Sequence, residues 1–317
     1  MLMASKISRL IFSGSITAGL SIVPLPLARG FLSLLQRNPR LTDGWGFHVR
    51  PISFYEPLPD FGAIQAEYLR KRRSSPALDW RAAAQVQLIG QLAAHVSDFK
   101  TLAETGRFDF ANPWFGGLDA AVYYCLVRFL KPSRIIEVGS GYSTQIAQLA
   151  LDDNSQDGRP GEQYCIEPFP ERLNSRRLPV HLIQDKLEAV PLEFFHQLGP
   201  GDIVLIDSTH TVKFGSDVCR EVLDILPRLQ PGVWVHFHDI FLPWDYPESW
   251  LLERRLAWNE QYLLEAFLAY NSHFQIELAN HWLASDHPQE AAHLWPEASS
   301  WPAPSHKCGS FWIRKRK

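Results

Sequence analysis

The run Ile-Ile-Glu-Val-Gly-Ser-Gly-Tyr-Ser-Thr-Gln-Ile at residues 135–146 constrains the fold of this chain more than any other feature. Its apolar start predicts a buried strand, its glycines a tight loop, and its end the beginning of a helix. Gly139 and Gly141 let the backbone turn sharply and approach a ligand closely. We expect Ser143 or Thr144 to cap the helix, whose first N–H groups would then face that ligand. The run therefore predicts a nucleotide-type site at the end of a strand.

Strand and helix patterns alternate from this run to the end of the chain, which predicts an α/β fold with a mostly parallel sheet covered on both faces. Such a sheet binds ligands at the carboxyl ends of its strands, near the point where the strand order reverses. We predict strands at 134–138, 163–167, 180–183, 203–207, 233–238, 274–279 and 310–314, and helices at 63–73, 80–99, 119–130, 144–151, 170–176, 188–198, 217–229 and 249–270.

Length and composition predict a globular protein with a sizeable core. The chain has 317 residues, of which 46% are hydrophobic and 21% are charged. A formal net charge of −3 gives no bulk electrostatic attraction to nucleic acid. The four cysteines lie far apart without a Cys-x-x-Cys spacing, which favours a reducing, cytoplasmic environment. We divide the chain into a hydrophobic N-terminal segment (1–40), an arm with a mainly helical cap (41–116) and the α/β domain (117–317).

The N-terminal segment allows more than one interpretation. Residues 10–28 contain no charged residue and follow Lys6 and Arg9, so export or a membrane span must be weighed. Pro24 and Pro26 oppose insertion, and the segment has no clean small-x-small cleavage site near Ala28. We therefore expect residues 1–40 to pack on the protein or to associate peripherally with a membrane.

Acidic and imidazole side chains follow three of the predicted parallel strands. Glu167 follows the second strand, Asp207 and His210 follow the fourth, and Asp239 follows the fifth, next to His238. A carboxylate in the place of Glu167 can accept both hydroxyls of a ribose. The other acids and imidazoles should meet at the same edge of the sheet, because the carboxyl ends of parallel strands lie together.

These residue types suit two kinds of chemistry. Asp207 and Asp239 offer oxygen ligands to a hard divalent cation. His210 has an imidazole whose ordinary pKa lies near neutrality, so it can take a proton from a substrate hydroxyl. Alternation along the strand sends His236 and His238 to one face, and we expect His236 to be a core residue hydrogen-bonded to the backbone.

Several nucleotide-site patterns do not fit the glycine loop. A dinucleotide fingerprint would place a third glycine where Thr144 stands. The loop also lacks the Gly-Lys-Ser/Thr of a phosphate-binding loop and the serine context of a nucleophile elbow. An adenosine-type ligand without phosphates fits best.

The run Glu137-Val138-Gly139-Ser140-Gly141-Tyr142-Ser143 resembles motif I of class I S-adenosylmethionine-dependent methyltransferases. Further stretches resemble the bacterial subgroup labelled methyltransferase domain 24. They are Ile206-Asp207-Ser208-Thr209-His210, Gly215-Ser216-Asp217-Val218, Ile225-Leu226-Pro227-Arg228-Leu229, His236-Phe237-His238-Asp239-Ile240-Phe241 and Gly309-Ser310-Phe311-Trp312-Ile313-Arg314.

The resemblance implies a Rossmann-like, seven-stranded, mostly parallel sheet with an antiparallel last strand. It implies O-methylation of a small-molecule or glycan-like hydroxyl, with S-adenosyl-L-methionine as cofactor and magnesium as a further candidate. Asp119 precedes motif I where this fold often covers the cofactor, and the aromatic stretch 241–247 is a candidate wall of the acceptor pocket. The implied residues are Glu137, Gly139, Ser140, Gly141, Tyr142, Ser143, Glu167, Asp207 and Asp119 for the cofactor, His210, Asp207 and Asp239 for catalysis, and Asp207 and Asp239 for a metal.

Two other classes stay open at this point. A nucleotide-cofactor oxidoreductase can be built on the same kind of sheet, and a non-catalytic module can retain the S-adenosylmethionine pocket.

Overall fold

A computed structural model of the chain describes residues 24–110, 112–171, 173, 178–300 and 308–317. The chain divides into two compact units, Met1–Ala63 and Ile64–Lys317. More than half of the predicted segment 1–40, namely residues 1–23, therefore lies outside the described residues. In the described ranges, no helix combines the length and the hydropathy that a membrane span requires.

The described part of the first unit is a short helical segment followed by irregular chain. Helices α1 (Leu25–Gln36) and α2 (Pro39–Gly44) each begin with a proline in the first turn, where the missing N–H of proline costs no hydrogen bond. Among residues 24–63, Thr42 alone has a buried side chain. The apolar side chains of residues 24–63 are therefore largely exposed.

A seven-stranded sheet forms the centre of the second unit, in the order β3-β2-β1-β4-β5-β7-β6. Strands β1 to β5 pair in parallel, and β7 lies antiparallel between β5 and β6. The predicted Rossmann-like sheet with an antiparallel last strand is confirmed. The strands are β1 (Arg134–Val138), β2 (Glu162–Ile166), β3 (His181–Ile183), β4 (Ile203–Ile206), β5 (Trp234–Phe237), β6 (Phe274–Ala279) and β7 (Phe311–Lys315).

The strand order reverses between β1 and β4. From β1 the chain proceeds outward to β2 and β3, then returns to place β4 on the other side of β1. The two crossovers leave a crevice at the carboxyl ends of β1 and β4, which is the ligand site of such sheets. Strand β4 contains only Ile, Val and Leu and is fully buried, and β1 is buried from Ile135 to Val138 with Glu137 among its apolar residues. Burial on both faces is usual for parallel strands between helical layers.

Helices cover both faces of the sheet. The most buried is α6, in which eleven of 14 residues are buried, because it is apolar around its whole circumference. The helices of this unit are α3 (Ala66–Arg70), α4 (Ala82–Leu92), α5 (Val96–Glu104), α6 (Gly117–Leu130), α7 (Tyr142–Gln156), α8 (Asp217–Arg220), α9 (Leu226–Arg228), α10 (Glu248–Leu252), α11 (Glu260–Leu268), α12 (Asn280–Asp286) and α13 (Pro288–Ala291).

Shorter helical turns connect these elements. A π-helical turn, Glu221–Ile225, joins α8 to α9. It ends two residues before Pro227, which has no N–H for the ordinary ladder. The predicted helix 188–198 consists of two 3-10 turns, Leu187–Ala189 and Leu192–Gln197. The predicted helix 170–176 lies partly outside the described residues.

The prediction of one long helix over 249–270 is wrong. Helix α10 ends at Leu252 and α11 begins at Glu260, with Arg255 at a left-handed φ of 55° between them. Tertiary contacts outweigh the helical pattern here. The N–H groups of Asn259 and Glu260 both donate to the carbonyl oxygen of His210, at 3.0 and 3.2 Å. The break therefore fixes the start of α11 against the loop that follows β4.

Candidate functional site

The glycine loop lies at the crevice between β1 and β4. Gly139 has a φ of 94°, and a Cβ atom there would lie 2.4 Å from the main-chain oxygen of Asp207. A residue with a side chain would therefore collide with the end of β4. The N–H of Gly139 donates to Ile166 at 3.0 Å, and the N–H of Asp207 donates to Val138 at 2.9 Å. These bonds continue the sheet and hold the loop between its neighbours.

The start of helix α7 differs from the prediction. Gly141 occupies the N-cap position, and its N–H donates to Thr144 Oγ1 at 2.9 Å. Neither Ser143 nor Thr144 is the cap, because both lie inside the first turn. The hydroxyl of Ser143 instead donates to the Glu137 carboxylate. The loop is thus fixed from inside the helix, and the N-terminus of α7 opens towards the crevice.

Glu137 lies beneath the loop and is fully buried. Its carboxylate also accepts a hydrogen bond from Gln163 Nε2 at 2.9 Å. Burial raises the pKa of Glu137 to about 7, although the hydrogen bond from Ser143 opposes this rise. In this structure Glu137 therefore supports the glycine loop from below.

Glu167 lies at the end of β2, beside the loop. Its Oε2 accepts from the Ser140 hydroxyl at 3.2 Å, and its Oε1 accepts from the N–H of Phe169 at 2.8 Å. Its side chain is half-buried. The structure thus brings Glu167 and Ser140 together at the same edge of the crevice.

Four side chains lie close together after β4 and β5: those of the three predicted residues Asp207, His210 and Asp239, and that of His238. His210 Nε2 lies 3.3 Å from Asp207 Oδ1 and 3.7 Å from Asp239 Oδ2. His238 Nδ1 lies 3.5 Å from Asp207 Oδ1 and 3.6 Å from Asp239 Oδ1. His210 and Asp239 adopt left-handed backbones, with φ of 57° and 58°. Non-glycine residues rarely adopt this conformation, which concentrates at functional sites.

A further carboxylate belongs to this cluster. Glu260 is 1% exposed, and its Oε2 lies 2.8 Å from His210 Nδ1. The two ring nitrogens of His210 therefore have different partners: Nδ1 contacts the buried Glu260, and Nε2 lies near Asp207 and Asp239. Glu260 is not among the predicted site residues, because the long helix predicted for 249–270 hides the break that starts α11 at this residue. The Asn259–Glu260 pair at a helix start was the available signal.

Attraction between the imidazoles and the carboxylates determines the protonation states in the cluster. Burial lowers the pKa of His210, but Asp207 and Glu260 outweigh it and raise this pKa well above its ordinary value. Asp239 and Asp207 likewise raise the pKa of His238 despite its burial. Burial raises the pKa of Asp207, yet the two imidazoles hold it below the ordinary value. Without a bound cation, the cluster therefore holds ion pairs at neutral pH.

Asp119 anchors the strand end that faces the cluster. Its Oδ2 accepts from the N–H of Gly309 at 2.8 Å, and its Oδ1 accepts from Asn280 Nδ2 at 2.8 Å and from the N–H of Ser310 at 3.1 Å. His238 Nε2 lies 3.7 Å from Asp119 Oδ2. Burial raises the pKa of Asp119, but His238 and these donors hold it below its ordinary value.

His236 is a core residue, as expected, with a different partner. It is fully buried, and its Nε2 lies 2.8 Å from the hydroxyl of Ser310. The predicted backbone partner is thus wrong, because Ser310, the residue just before β7, presents a side-chain hydroxyl. Burial, with the charge of His238, lowers the pKa of His236 to about 3. This imidazole is neutral and belongs to the structure of the sheet.

Two adjoining cavities open on the cluster. The smaller, of about 160 Å³, lies between the glycine loop and the cluster and is lined by Ser140, Gly141, Tyr142, Ser143, Asp207, His210, His238 and Asp239 with Trp114, Phe115 and Trp258. The larger, of about 520 Å³, also contains His238, Asp239, Trp114 and Trp258 in its wall. Asp119 lines the larger cavity, and neither Glu137 nor Glu167 lines either one.

Indole rings dominate the wall of the larger cavity. Four tryptophans line it, together with Phe110, Asn112, Arg254 and Glu297. The tryptophans are Trp114, Trp250, Trp258 and Trp295. Asn112 positions the first of them, because its Oδ1 accepts from the N–H of Trp114 at 3.0 Å and from that of Phe115 at 2.7 Å. The predicted aromatic wall 241–247 instead borders a separate cavity of about 380 Å³, through Phe241, Asp245, Tyr246 and Pro247.

The cluster also fits a divalent cation. One ligand atom each from Asp207, His238 and Asp239 can lie within 4.8 Å of the others. The imidazole-to-carboxylate distances of 3.5 and 3.6 Å are close to the ~3 Å expected between neighbouring ligands at ~2.1 Å from one ion. The sequence prediction named the two acids, and the structure adds His238 to the set of donors.

Part of the α/β domain is similar to known proteins. Residues 136–240 match a family model described as a methyltransferase domain (Methyltransf_24). An uncharacterized protein of Archaeoglobus fulgidus is 27% identical over 164 residues, which are 47% of this chain and 72% of that protein. The family match confirms the resemblance predicted from the sequence.

Two solved structures illustrate the structural similarity. The O-methyltransferase TomG of Streptomyces achromogenes, solved with SAM, is 16% identical, with 80% of this chain and 94% of that chain covered and a TM-score of 0.41. An O-methyltransferase of Bacillus cereus, solved with SAH, is 14% identical, with 72% and 91% covered and a TM-score of 0.36.

Proposed function

We propose that this chain, which carries a methyltransferase domain over residues 136–240, transfers the methyl group of S-adenosylmethionine to a hydroxyl oxygen. The observation that carries the proposal is the position of His210. This residue lines the cavity beside the glycine loop. Its Nδ1 lies 2.8 Å from Glu260 Oε2, and its Nε2 lies on the side of Asp207 and Asp239. A hydroxyl in the larger cavity can reach the same edge, because His238, Asp239 and Trp258 line both spaces.

The cofactor would bind at the crevice between β1 and β4. We assign its nucleoside end to the loop from Gly139 to Ser143 and to Glu167, whose carboxylate lies beside Ser140. Thr144 in place of a third glycine suits a ligand without a pyrophosphate. Glu137 would hold the loop in place through its hydrogen bond with Ser143, and Asp119 would hold the chain before β7 in place through its hydrogen bond with the N–H of Gly309. S-adenosylmethionine supplies an electrophilic methyl group on a sulfonium centre.

His210 is the general base of this proposal. Its Nε2 takes the proton of the acceptor hydroxyl as the oxygen forms its bond to the methyl carbon and the carbon–sulfur bond breaks. Glu260 accepts a hydrogen bond from the Nδ1–H group of His210, which fixes the tautomer and the ring plane. Asp207 and Asp239 stabilise the imidazolium that forms. Only neutral imidazole can accept a proton, so the raised pKa of His210 requires the transfer rate to increase with pH above neutrality.

Asp207, Asp239 and His238 would hold a divalent cation, and we propose magnesium or manganese. A cation bound there would lower the pKa of the acceptor hydroxyl and offset the negative charge of the two acids. The position of Asp239 is fixed by the next residue, because the N–H of Ile240 donates to the carbonyl oxygen of Gly309 at 2.9 Å. The Asp239 carboxylate would therefore orient the acceptor from a fixed position.

The acceptor that fits the larger cavity is a small molecule or a sugar. Indole faces pack on the apolar faces of aromatic and sugar rings, and the same wall contains the charged side chains of Arg254 and Glu297. A cavity of about 520 Å³ is in the size range of small-molecule sites. We therefore favour a ring-containing acceptor, glycan-like or aromatic.

The family match favours this activity over a nicotinamide-dependent oxidoreductase. Calorimetric titration with S-adenosylhomocysteine and with NAD+ separates the two classes. We expect S-adenosylhomocysteine to bind and NAD+ not to bind, and the reverse would contradict the proposal. Binding of S-adenosylhomocysteine without methyl transfer to any fraction of a cell extract would instead support the non-catalytic module.

A further inference from the structure

We infer that helix α1 (Leu25–Gln36) is a membrane-docking helix that lies on a bilayer with anionic lipid headgroups. Its apolar and polar side chains lie on opposite sides of the helix along its length. Leu27, Phe31, Leu34 and Leu35 follow one another at spacings of four, three and one, and Arg29, Ser33, Gln36 and Arg37 follow with the same spacings. At 100° per residue, these two sets lie on opposite sides of the helix.

The apolar side is open to solvent in the described structure. Helix α1 has no buried residue. Leu27 is 68% exposed, Phe31 60% and Leu34 59%. Exposing such a row of apolar side chains to water is unfavourable. An exposed apolar stripe of this kind therefore indicates a partner.

The charges identify that partner as an anionic surface. Residues 1–42 contain Lys6, Arg9, Arg29, Arg37 and Arg40 and no acidic residue, so they carry five positive charges. The remaining 26 of the 31 basic residues stand against all 34 acidic ones, which gives residues 43–317 a charge of −8. A basic, amphipathic segment on an acidic protein is expected to attach to negatively charged lipid through that segment alone.

The helix is an interfacial helix. Its twelve residues extend ~18 Å at 1.5 Å per residue, which is shorter than the ~30 Å hydrocarbon core. It would lie in the plane of the headgroups, with Phe31 and the leucines in the acyl region and Arg29 and Arg37 among the phosphates. A second copy of the chain is the competing partner, but two such segments would each bring five positive charges to one interface.

The test is flotation of the full-length protein with phosphatidylcholine vesicles, with and without phosphatidylglycerol. We expect binding to the anionic vesicles, which weakens as salt is added. Phe31→Glu places a charge on the apolar side and should reduce binding at least tenfold. Gln36→Glu makes the same change of charge on the polar side and should reduce it about fivefold, the loss expected for one unit of charge.

Two control measurements show whether the Phe31→Glu variant is still folded. The melting temperature and S-adenosylhomocysteine affinity of Phe31→Glu should equal those of the wild type, which would show that the second unit is intact. The inference is overturned if neither type of vesicle binds, or if Phe31→Glu and Gln36→Glu bind equally. It is also overturned if the wild type is an oligomer that does not bind vesicles and Phe31→Glu converts it to a monomer. None of these results depends on methyl transfer.

Discussion

His210 Nδ1 lies 2.8 Å from Glu260 Oε2, and this contact joins the loop after β4 to the first residue of α11. Two N–H groups at the start of α11 donate to the carbonyl oxygen of the same histidine. Backbone and side chain of His210 are thus held by one element. The imidazole can therefore keep its Nε2 in the cleft while it gains and loses a proton.

Replacing Glu260 with Gln should slow methyl transfer and change its pH dependence. The loss of a charged hydrogen-bond partner is worth ~1.5–3 kcal/mol, which corresponds to a decrease of about 10- to 100-fold in kcat. Glu260 raises the pKa of His210, so the rising limb of the rate profile should move to lower pH in the variant. The exposed Glu253→Gln is the control. An unchanged midpoint in Glu260→Gln would contradict the role of this residue.

Replacing Gly139 with Ala should disrupt the crevice. The φ of 94° and the 2.4 Å approach to Asp207 both exclude a Cβ atom, and we expect the free energy of unfolding to fall by ~2 kcal/mol or more. Gly141→Ala is the matched control, because no atom lies within 4 Å of its Cβ position. Chemical denaturation compares the two variants. Equal stability of both would show that the loop does not need glycine at residue 139.

Removing a divalent cation should slow the transfer. A chelator should lower the rate, and added Mg²⁺ or Mn²⁺ should restore it, with Mn²⁺ binding more tightly because His238 offers a nitrogen ligand. Asp239→Asn should weaken the response to either ion by at least tenfold. Calorimetric titration with each ion gives the affinities. Full activity after exhaustive chelation would remove the metal from the proposal.

Replacing Trp250 with Ala should weaken the binding of the acceptor without changing the binding of the cofactor. Trp250 lines the larger cavity and packs edge-to-face on Trp258 at 5.2 Å between ring centroids. The loss of an indole face should raise the acceptor KM about tenfold. The affinity for S-adenosylhomocysteine should not change, since Trp250 does not line the smaller cavity. A parallel loss of cofactor affinity would mean that the two cavities are assigned wrongly.

Glu137 should make the folded state less stable as the pH rises. Its pKa is about 7 in the folded chain and about 4.5 in the unfolded chain. The folded state therefore binds the proton more tightly, and the free energy of unfolding should fall by ~3 kcal/mol as the pH rises from 4.5 through 7. Glu137→Gln should remove this part of the pH dependence, and the exposed Glu162→Gln should retain it. Identical pH slopes for Glu137→Gln and the wild type would contradict this explanation.

The sequence predicted the sheet well because its strands are unambiguous. β1 and β4 are short, largely apolar segments that end in a glycine loop or an acid, and every predicted strand was found within a residue or two. The predicted ends of β4 and β5 located Asp207, His210 and Asp239 at one edge, because parallel strands share a carboxyl end. The roles of these residues stay a proposal.

The sequence failed where tertiary contacts decide the local structure. A helical pattern runs through 249–270, yet Asn259 and Glu260 bond to His210 and interrupt it. Glu260 was missed for that reason. The tryptophan wall was missed likewise, since Trp114, Trp250 and Trp295 come from separate elements that only the fold brings to one cavity.

Transfer of a labelled methyl group from S-adenosylmethionine into fractionated cell extract tests the central claim most directly. Wild type and His210→Ala are compared at equal saturation, with S-adenosylhomocysteine affinity measured for both. We predict that the wild type labels an acceptor and that His210→Ala binds the cofactor normally but transfers about 10²- to 10⁴-fold more slowly. Full transfer by His210→Ala with normal cofactor binding would contradict the account.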